Sequence, residues 1–223
     1  MIVRGSVDYK SQRRYSENLQ ANRRGSNSFP EERVRKLAER DAKILKYCPK
    51  LWPVLDVGCG EGYHVEAYMR SGIPCVGIDV DPRQLKAGRE RMRQYRLKPK
   101  LYQRDARHTR FRSESFGSVR SYGMLMMTPF VSKMLYGRIL TTEETRVEVK
   151  KILSEMRRVV RRRGVIRIIT FSDKELMEPE YYKPRPLELA RLATEVGLKV
   201  LHMGYLRSHP TVIDATFKKP ETE

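Results

Sequence analysis

Cysteine, histidine and tryptophan are scarce in this chain of 223 residues, which holds three, four and one of them. Cys48, Cys59 and Cys75 share no CxxC spacing, which excludes a disulfide framework and a cysteine-ligated zinc site. The four histidines form no HExxH pair, so the chain reads as metal-free. No apolar run approaches the roughly 18 residues of a membrane span. The start, Met1-Ile-Val-Arg-Gly-Ser6, lacks the apolar stretch of a signal peptide, and the expectation is a cytoplasmic protein. Acid is also short: 27 Asp and Glu stand against 46 Lys and Arg, a formal +19. That excess favours nucleic acid, anionic lipid or an acidic protein as partner and says nothing about fold. The hydrophobic fraction, 39%, is low, yet twelve tyrosines and periodic apolar positions argue against disorder.

At about 150 residues per domain the length fits one elaborated domain. Residues 1–27 form a basic arm, with Arg13-Arg14 and Arg23-Arg24 standing out. Ser28, Pro30 and Glu31 are a helix-start signature. Val34, Leu37, Ala38, Leu45 and Cys48 then recur at helical spacing up to Pro49, with Asp41 as the one polar interruption. Residues 1–49 are therefore expected to be an arm and an amphipathic helix packed on a domain spanning 50–223.

From Leu51 strands and helices alternate. Strands are expected at 51–57, 74–80, 100–103, 116–122 and 165–171, with two more at 199–203 and 211–217. Asp81 and Pro82 open a helix that runs to about Arg96, Thr141 and Glu144 form a capping box, and Pro186 opens a helix ended by Gly197. Such alternation predicts an α/β fold, Rossmann-like and doubly wound. Its seven-stranded sheet is mostly parallel, with helices on both faces and an antiparallel last strand.

The stretch that carries chemistry is Val54-Leu-Asp-Val-Gly-Cys-Gly-Glu-Gly62. A buried strand running into alternating glycines must turn sharply and admit a ligand close to its backbone. The following helix points its free N–H groups at that ligand. A dinucleotide site would show GxGxxG, whereas here the spacing is GxGxG with Tyr63 next, which disfavours a nicotinamide-dependent oxidoreductase. Asp56 is awkward beside a pyrophosphate and suits a cationic amino group. Asp79, at the end of the second strand, is placed to accept hydrogen bonds from a ribose diol. Val80 beside it can pack on an adenine face, and Asp105-Ala106, after the third strand, can meet the exocyclic amine.

These residues resemble class I S-adenosylmethionine-dependent methyltransferases, particularly the group similar to ubiquinone-biosynthesis methyltransferases, over roughly residues 50–205. Val76-Gly-Ile-Asp79 is similar to that family's second motif and Ser115-Phe-Gly-Ser-Val119 to its fourth; Leu153–Gly164 resembles the helix and turn before strand five. The resemblance implies S-adenosylmethionine as cofactor, with Gly58, Cys59 and Gly60 facing its methionine part, Asp79 its ribose and Asp105 its adenine. The chain departs from the family in having Gly117 where Asp follows Phe, and Arg162-Arg163-Gly164 where Pro-Gly-Gly is usual.

A sulfonium methyl is already activated, and alignment alone contributes about 7–11 kcal/mol, so no universal catalytic residue is demanded. Candidate bases are His64, His108, Tyr122 and His209; Tyr122 is preferred, and is also counted among the cofactor-binding residues, because it ends strand four, where ligands of open sheets bind. No Asn-Pro-Pro-Tyr or Pro-Cys follows that strand. Met124, Met126 and Met127 line either an acceptor pocket or the core. The long segment from Thr128 to Thr142 is a candidate cover for the site.

The charge concentrates in two places. Between Arg83 and Arg112 twelve basic residues face Glu90 and Asp105, and this surface is the candidate for RNA or another anionic partner. Between Thr145 and Arg167 nine face Glu148 and Glu155, with Arg157–Arg163 assigned to a helix C-terminus, where cations are favoured. The expected function is methyl transfer by in-line displacement to an O or N nucleophile, with a small-molecule acceptor preferred over RNA or protein. The alternative is a noncatalytic basic binding module on the same fold.

Overall fold

A computed structural model of the chain describes residues 31–129, 131–132, 137–171, 182–206 and 209–221. The basic arm and the helix-start residues Ser28 and Pro30 lie outside this set. Helix α1 (Glu31–Lys46) buries Ala38, Ala42 and Leu45 on one stripe, together with Asp41. A short turn at Pro49–Leu51 leads to β1 (Val54–Val57), α2 (Tyr63–Arg70), β2 (Cys75–Asp79), α3 (Pro82–Gln94), β3 (Leu101–Gln103) and β4 (Phe116–Tyr122). After a turn at Leu125–Met127 come α4 (Thr142–Val159), β5 (Val160–Phe171), α5 (Pro186–Glu195), β6 (Lys199–Leu206) and β7 (His209–Lys218).

The strands form one seven-stranded sheet in the order β3-β2-β1-β4-β5-β7-β6. Strands β1 to β5 are parallel, β7 runs antiparallel to β5, and β6 antiparallel to β7. The arrangement is the Rossmann-like, doubly wound one. Chain order reverses between β1 and β4, so the crevice for a ligand opens at the carboxyl ends of these two strands. Local chemistry sets the helix starts. The Asp81 carboxylate accepts from the N–H of Arg83 at 2.9 Å, and both halves of the Thr141/Glu144 capping box are formed.

Side-chain alternation divides the sheet into two unlike faces. One face brings Leu55, Val57, Val119, Ile166 and Ile168 against Val149, Ile152, Leu153 and Met156 of α4, and all of them are buried. Each such side chain contributes roughly 1.5–3 kcal/mol through burial. The other face lies under α1 and α2. It has an apolar half, with Val54, Cys75, Val65, Tyr68 and Leu45, and a charged row described below.

Strand β5 starts at Val160, five residues before the position expected from the β-branched run. Val160 pairs with Phe116 ahead of a register shift, and Arg163 takes a positive φ of 61° there. The helix before it ends at Val159, so only Arg157 and Arg158 belong to its last turn. Arg161–Arg163 are strand residues, and the helix-end account of this basic cluster holds for its first two arginines alone. The departure at Gly117 has a packing cause, since a Cβ there would lie 2.4 Å from the carbonyl carbon of Leu51. Of the expected cover at 128–142, residues 130 and 133–136 lie outside the described set. Among the described residues no helix is long and apolar enough to cross a membrane, and no cluster of His, Cys, Asp and Glu could hold a metal.

Candidate functional site

Strand β1 leaves the sheet through Gly58, Gly60 and Gly62, whose φ values are 72°, 52° and 73°. Only glycine adopts these angles without strain. The loop is stitched to the end of β2. The N–H groups of Gly58 and Cys59 both donate to the carbonyl of Ile78 at 2.9 Å, and that of Gly60 donates to Asp79 Oδ2 at 2.8 Å. Asp79 Oδ1 accepts from the N–H of Asp81 at 2.9 Å. Asp79 is therefore a clamp on the glycine turn as well as a candidate ribose acceptor, a role its sequence position did not announce. Burial raises its pKa, and the backbone donors oppose that rise.

Helix α3 braces the same loop from behind. A Cβ at Gly88 would stand 2.4 Å from the carbonyl oxygen of Glu61, so helix and loop touch backbone to backbone. Arg91 adds two ties, donating from Nη2 to that carbonyl at 2.6 Å and from Nε to the buried Glu66 at 2.9 Å. Above the first glycine, the Met124 side chain fills the space where a Cβ of Gly58 would stand, at 2.4 Å. Met126 lies in a buried cluster with Ile169, Phe171 and Val212, against which Met127 packs. These contacts make core filling the main role of the last two methionines.

Asp56 is 2% exposed, and its Oδ2 makes no hydrogen bond among the described residues. Burial, then the charges of Asp79 and Asp41, push its pKa up to about 7, with Arg120 opposing. An uncompensated buried carboxylate beside a glycine turn is costly in isolation and fits a cationic group brought by a ligand. The amino group of S-adenosylmethionine is such a cation, so the residues present fit this cofactor.

The third strand joins the site by backbone, the N–H of Arg104 donating to the carbonyl of Asp79 at 3.0 Å. The Asp105 carboxylate accepts from the Arg107 backbone at 2.8 Å and from its Nε at 2.9 Å. Burial alone would raise its pKa; the hydrogen bonds and charge of Arg107 outweigh that and keep it low. Val80 and Ala106, beside these two aspartates, are half-buried. Tyr122 ends β4 with its ring 5.2 Å from that of His64. Burial pushes His64 down to about pKa 4, so it is neutral and a weak base near pH 7. His108 is exposed, and the side chain of His209 lies outside the described set.

The structure thus gathers Asp56, Gly58, Cys59, Gly60, Asp79, Val80, Asp105, Ala106 and Tyr122 at the carboxyl ends of β1 to β4. A cavity of about 780 Å³, lined by none of these residues, opens at the starts of α4 and α5, with Pro129, Thr145, Arg146, Tyr182 and Arg191 in its wall. Sequence reasoning passed over a row of charges beneath the site. In the sequence Asp41 reads as an interruption in an amphipathic pattern, Arg167 as one member of a basic cluster, and Arg120 as an ordinary strand residue. The one available signal was a polar residue on an otherwise apolar helix stripe.

Comparison with known proteins agrees with this geometry. Residues 55–168 match the family described as Methyltransferase domain. No curated protein matches the chain. Among solved structures, a protein of Pyrococcus horikoshii OT3 is similar with a TM-score of 0.67 and 14% identity, over 86% of this chain and 93% of that one. The magnesium protoporphyrin IX methyltransferase of Synechocystis PCC 6803, solved with bound SAH, gives 0.65 and 13%, over 96% and 97%. An S-adenosylmethionine-dependent methyltransferase of Clostridium acetobutylicum ATCC 824 gives 0.62 and 13%, over 94% and 99%. At these identities the structural likenesses speak for the fold. The family match covers half of the chain and, with the glycine turn and its acidic partners, shows that the chain belongs to the methyltransferase-domain family as a class I enzyme whose cofactor is S-adenosylmethionine.

Proposed function

We propose that the crevice at the ends of β1, β2 and β4 aligns S-adenosylmethionine for in-line transfer of its methyl group to an O or N nucleophile. The observation that carries this is the buried Asp56 oxygen without a partner, set against a glycine turn clamped by a second carboxylate. Asp56 receives the cofactor's ammonium. Gly58, Cys59 and Gly60 let its methionine part approach the backbone, and Asp79 accepts from the ribose hydroxyls on lone pairs its backbone donors leave free. Val80 and Ala106 flank the adenine, and Asp105, held by Arg107, accepts from its amine. Tyr122 lies on the acceptor side. A small-molecule acceptor is favoured by the concave cavity at the starts of α4 and α5.

The basic surface has a narrower role than its total charge implies. Within Arg83–Arg112, Arg83 pairs with Asp81, Arg91 with Glu61 and Glu66, and Arg107 with Asp105 and Glu148. Arg89 and Arg104 donate to the carbonyls of Leu101 and Thr109. Arg93, Arg96, Lys98, Lys100, Arg110 and Arg112 remain exposed. Three of these, Arg96, Lys98 and Lys100, lie between the end of α3 and the start of β3, at the opposite end of the strands from the crevice. RNA or another anionic partner would meet the enzyme there as a docking partner.

Calorimetry with S-adenosylhomocysteine is expected to show binding that Asp79→Ala weakens at least tenfold, because a charge-assisted hydrogen bond contributes about 1.5–3 kcal/mol. Unchanged binding by that variant would remove Asp79 from the site. Incubating a cell extract with methyl-labelled cofactor, with and without nuclease or protease, sorts the acceptor class. Label retained in the small-molecule fraction supports this proposal, and label lost to nuclease moves the acceptor to RNA.

A further inference from the structure

The row of charges beneath the site is laid out by the sheet register. Asp56 on β1 pairs with Arg120 on β4, and Arg120 with Arg167 on β5, so all three side chains project from one face. Helix α1 covers that face and lowers Asp41 onto it. Arg167 donates from Nη1 to Asp41 Oδ1 at 2.7 Å and grips Asp214 of β7 through Nε at 2.9 Å and Nη2 at 2.7 Å. Tyr68 of α2 donates its hydroxyl to Asp41 Oδ2 at 2.6 Å, and Arg120 Nε stands 3.7 Å from the same oxygen.

The charges in this row do not balance without a ligand. Arg120 and Arg167 match Asp41 and Asp214, and Asp56 is left over. A buried guanidinium cannot stand unpaired, and Arg120 is only 9% exposed, so its resident partner decides what is left for Asp56. With α1 seated, that partner is Asp41. Burial alone would raise the pKa of Asp41; Arg120, Arg167 and the Tyr68 hydroxyl outweigh it and keep the carboxylate ionised.

Resting on the assignment of Asp56 to the cofactor's ammonium, we propose that Arg120 is a positioning residue whose charge is divided between Asp41 of the N-terminal helix and Asp56 of the cofactor site, so that the seating of α1 sets how Asp56 receives a cationic amino group. Asp41 draws the guanidinium to itself and leaves Asp56 the carboxylate that only a ligand cation completes. The other groups facing Asp56 are Asp79 and Cys75 from β2, Cys59 from the glycine turn and Tyr68 from α2, while His64 of α2 faces Asp41, Arg120 and Arg167. The buried thiols, phenol and imidazole are neutral near pH 7, which leaves Asp79, Asp41 and Arg120 as the charges that act.

The test is S-adenosylhomocysteine affinity of the full chain, by calorimetry, from pH 5 to 8.5. Wild-type affinity falls as pH drops below about 7, where Asp56 takes up its proton. In Asp41→Asn the carboxylate that raises the Asp56 pKa is gone and the guanidinium is freed to turn to Asp56, so the fall moves about one unit lower in pH, on the scale of a single neighbouring charge. The affinity at pH 8 then weakens several-fold, because Arg120 competes with the ligand's ammonium. Arg120→Met moves the fall about one unit higher, and Arg120→Lys leaves it near the wild-type position. Damage to folding weakens binding at every pH and cannot produce opposite displacements. Tyr68→Phe keeps the Asp41 charge and is expected to keep the wild-type profile. Equal displacement by Tyr68→Phe and Asp41→Asn overturns the proposal, as do displacements of one sign in Asp41→Asn and Arg120→Met, or a flat wild-type profile. Failure of the cofactor assignment is read separately: Asp56→Asn would then bind with wild-type affinity and pH dependence.

Discussion

The two faces of the central sheet are built on opposite principles. Under α4 and α5 the sheet meets its helices through an apolar cluster, with Leu55, Val119, Ile166 and Leu153 at the centre. Under α1 and α2 the corresponding row is Asp56, Arg120 and Arg167, closed by Asp41 and Asp214. An apolar contact is non-directional and adds stability with little bearing on a ligand. A buried ionic row is sensitive to every charge that enters or leaves it, including one carried by a cofactor. The first face therefore holds the fold, and the second ties the N-terminal helix to the site.

The sharpest way to break the contrast is to remove a charge from the middle of the row. Arg167→Met strips the buried Asp41 and the half-buried Asp214 of the guanidinium that bridges them and is expected to cost about 3 kcal/mol in denaturant unfolding above pH 4. Asp41 has its pKa depressed below 3.8 by folding, so its stabilising contribution is complete above that value and fades as pH falls through the folded pKa. The gap between variant and wild type therefore closes in acid. Leu153→Ala, on the apolar face, is expected to cost a similar ~3 kcal/mol through its cavity, with no pH dependence of the difference. Equal pH behaviour of the two variants would erase the distinction.

Asp56→Asn works in the opposite direction. A carboxyl whose folded pKa is about 7 binds its proton more tightly folded than unfolded, so its ionisation erodes stability as pH rises from about 4 to 7. Replacement by a neutral amide should stabilise the cofactor-free protein by about 2–4 kcal/mol at pH 8 and by little near pH 4, while abolishing tight cofactor binding. The smallest effect is expected at the exposed start of α4. Thr141→Ala removes the cap of α4 and costs about 1 kcal/mol, with cofactor affinity unchanged.

Local chemistry made much of the fold legible. Strand β4 begins and ends at Phe116 and Tyr122 as expected, and the Thr141/Glu144 capping box forms as its spacing predicts. The glycine turn is equally local, because positive φ leaves its mark in residue type. What escaped is non-local. Asp41 and Arg167 are 126 residues apart and meet only because α1 crosses a sheet face whose register the chain order does not reveal. The early start of β5 escaped because Arg161–Arg163 resemble a helix end, while in the sheet they fall in the register shift between the Val160–Phe116 and Val165–Ser118 pairs. Gly117 read as a lapse from a family pattern until the approach of Leu51 gave it a steric cause.

The central claim is that the polar face holds one carboxylate in reserve for the cofactor. The direct measurement is the titration of the Asp56 side-chain carboxyl carbon by nuclear magnetic resonance, in the free protein and with saturating S-adenosylmethionine. A midpoint near 7 in the free protein, displaced by at least one unit to lower pH on binding, is the predicted result. A midpoint near the ordinary 3.8 in both states would contradict it.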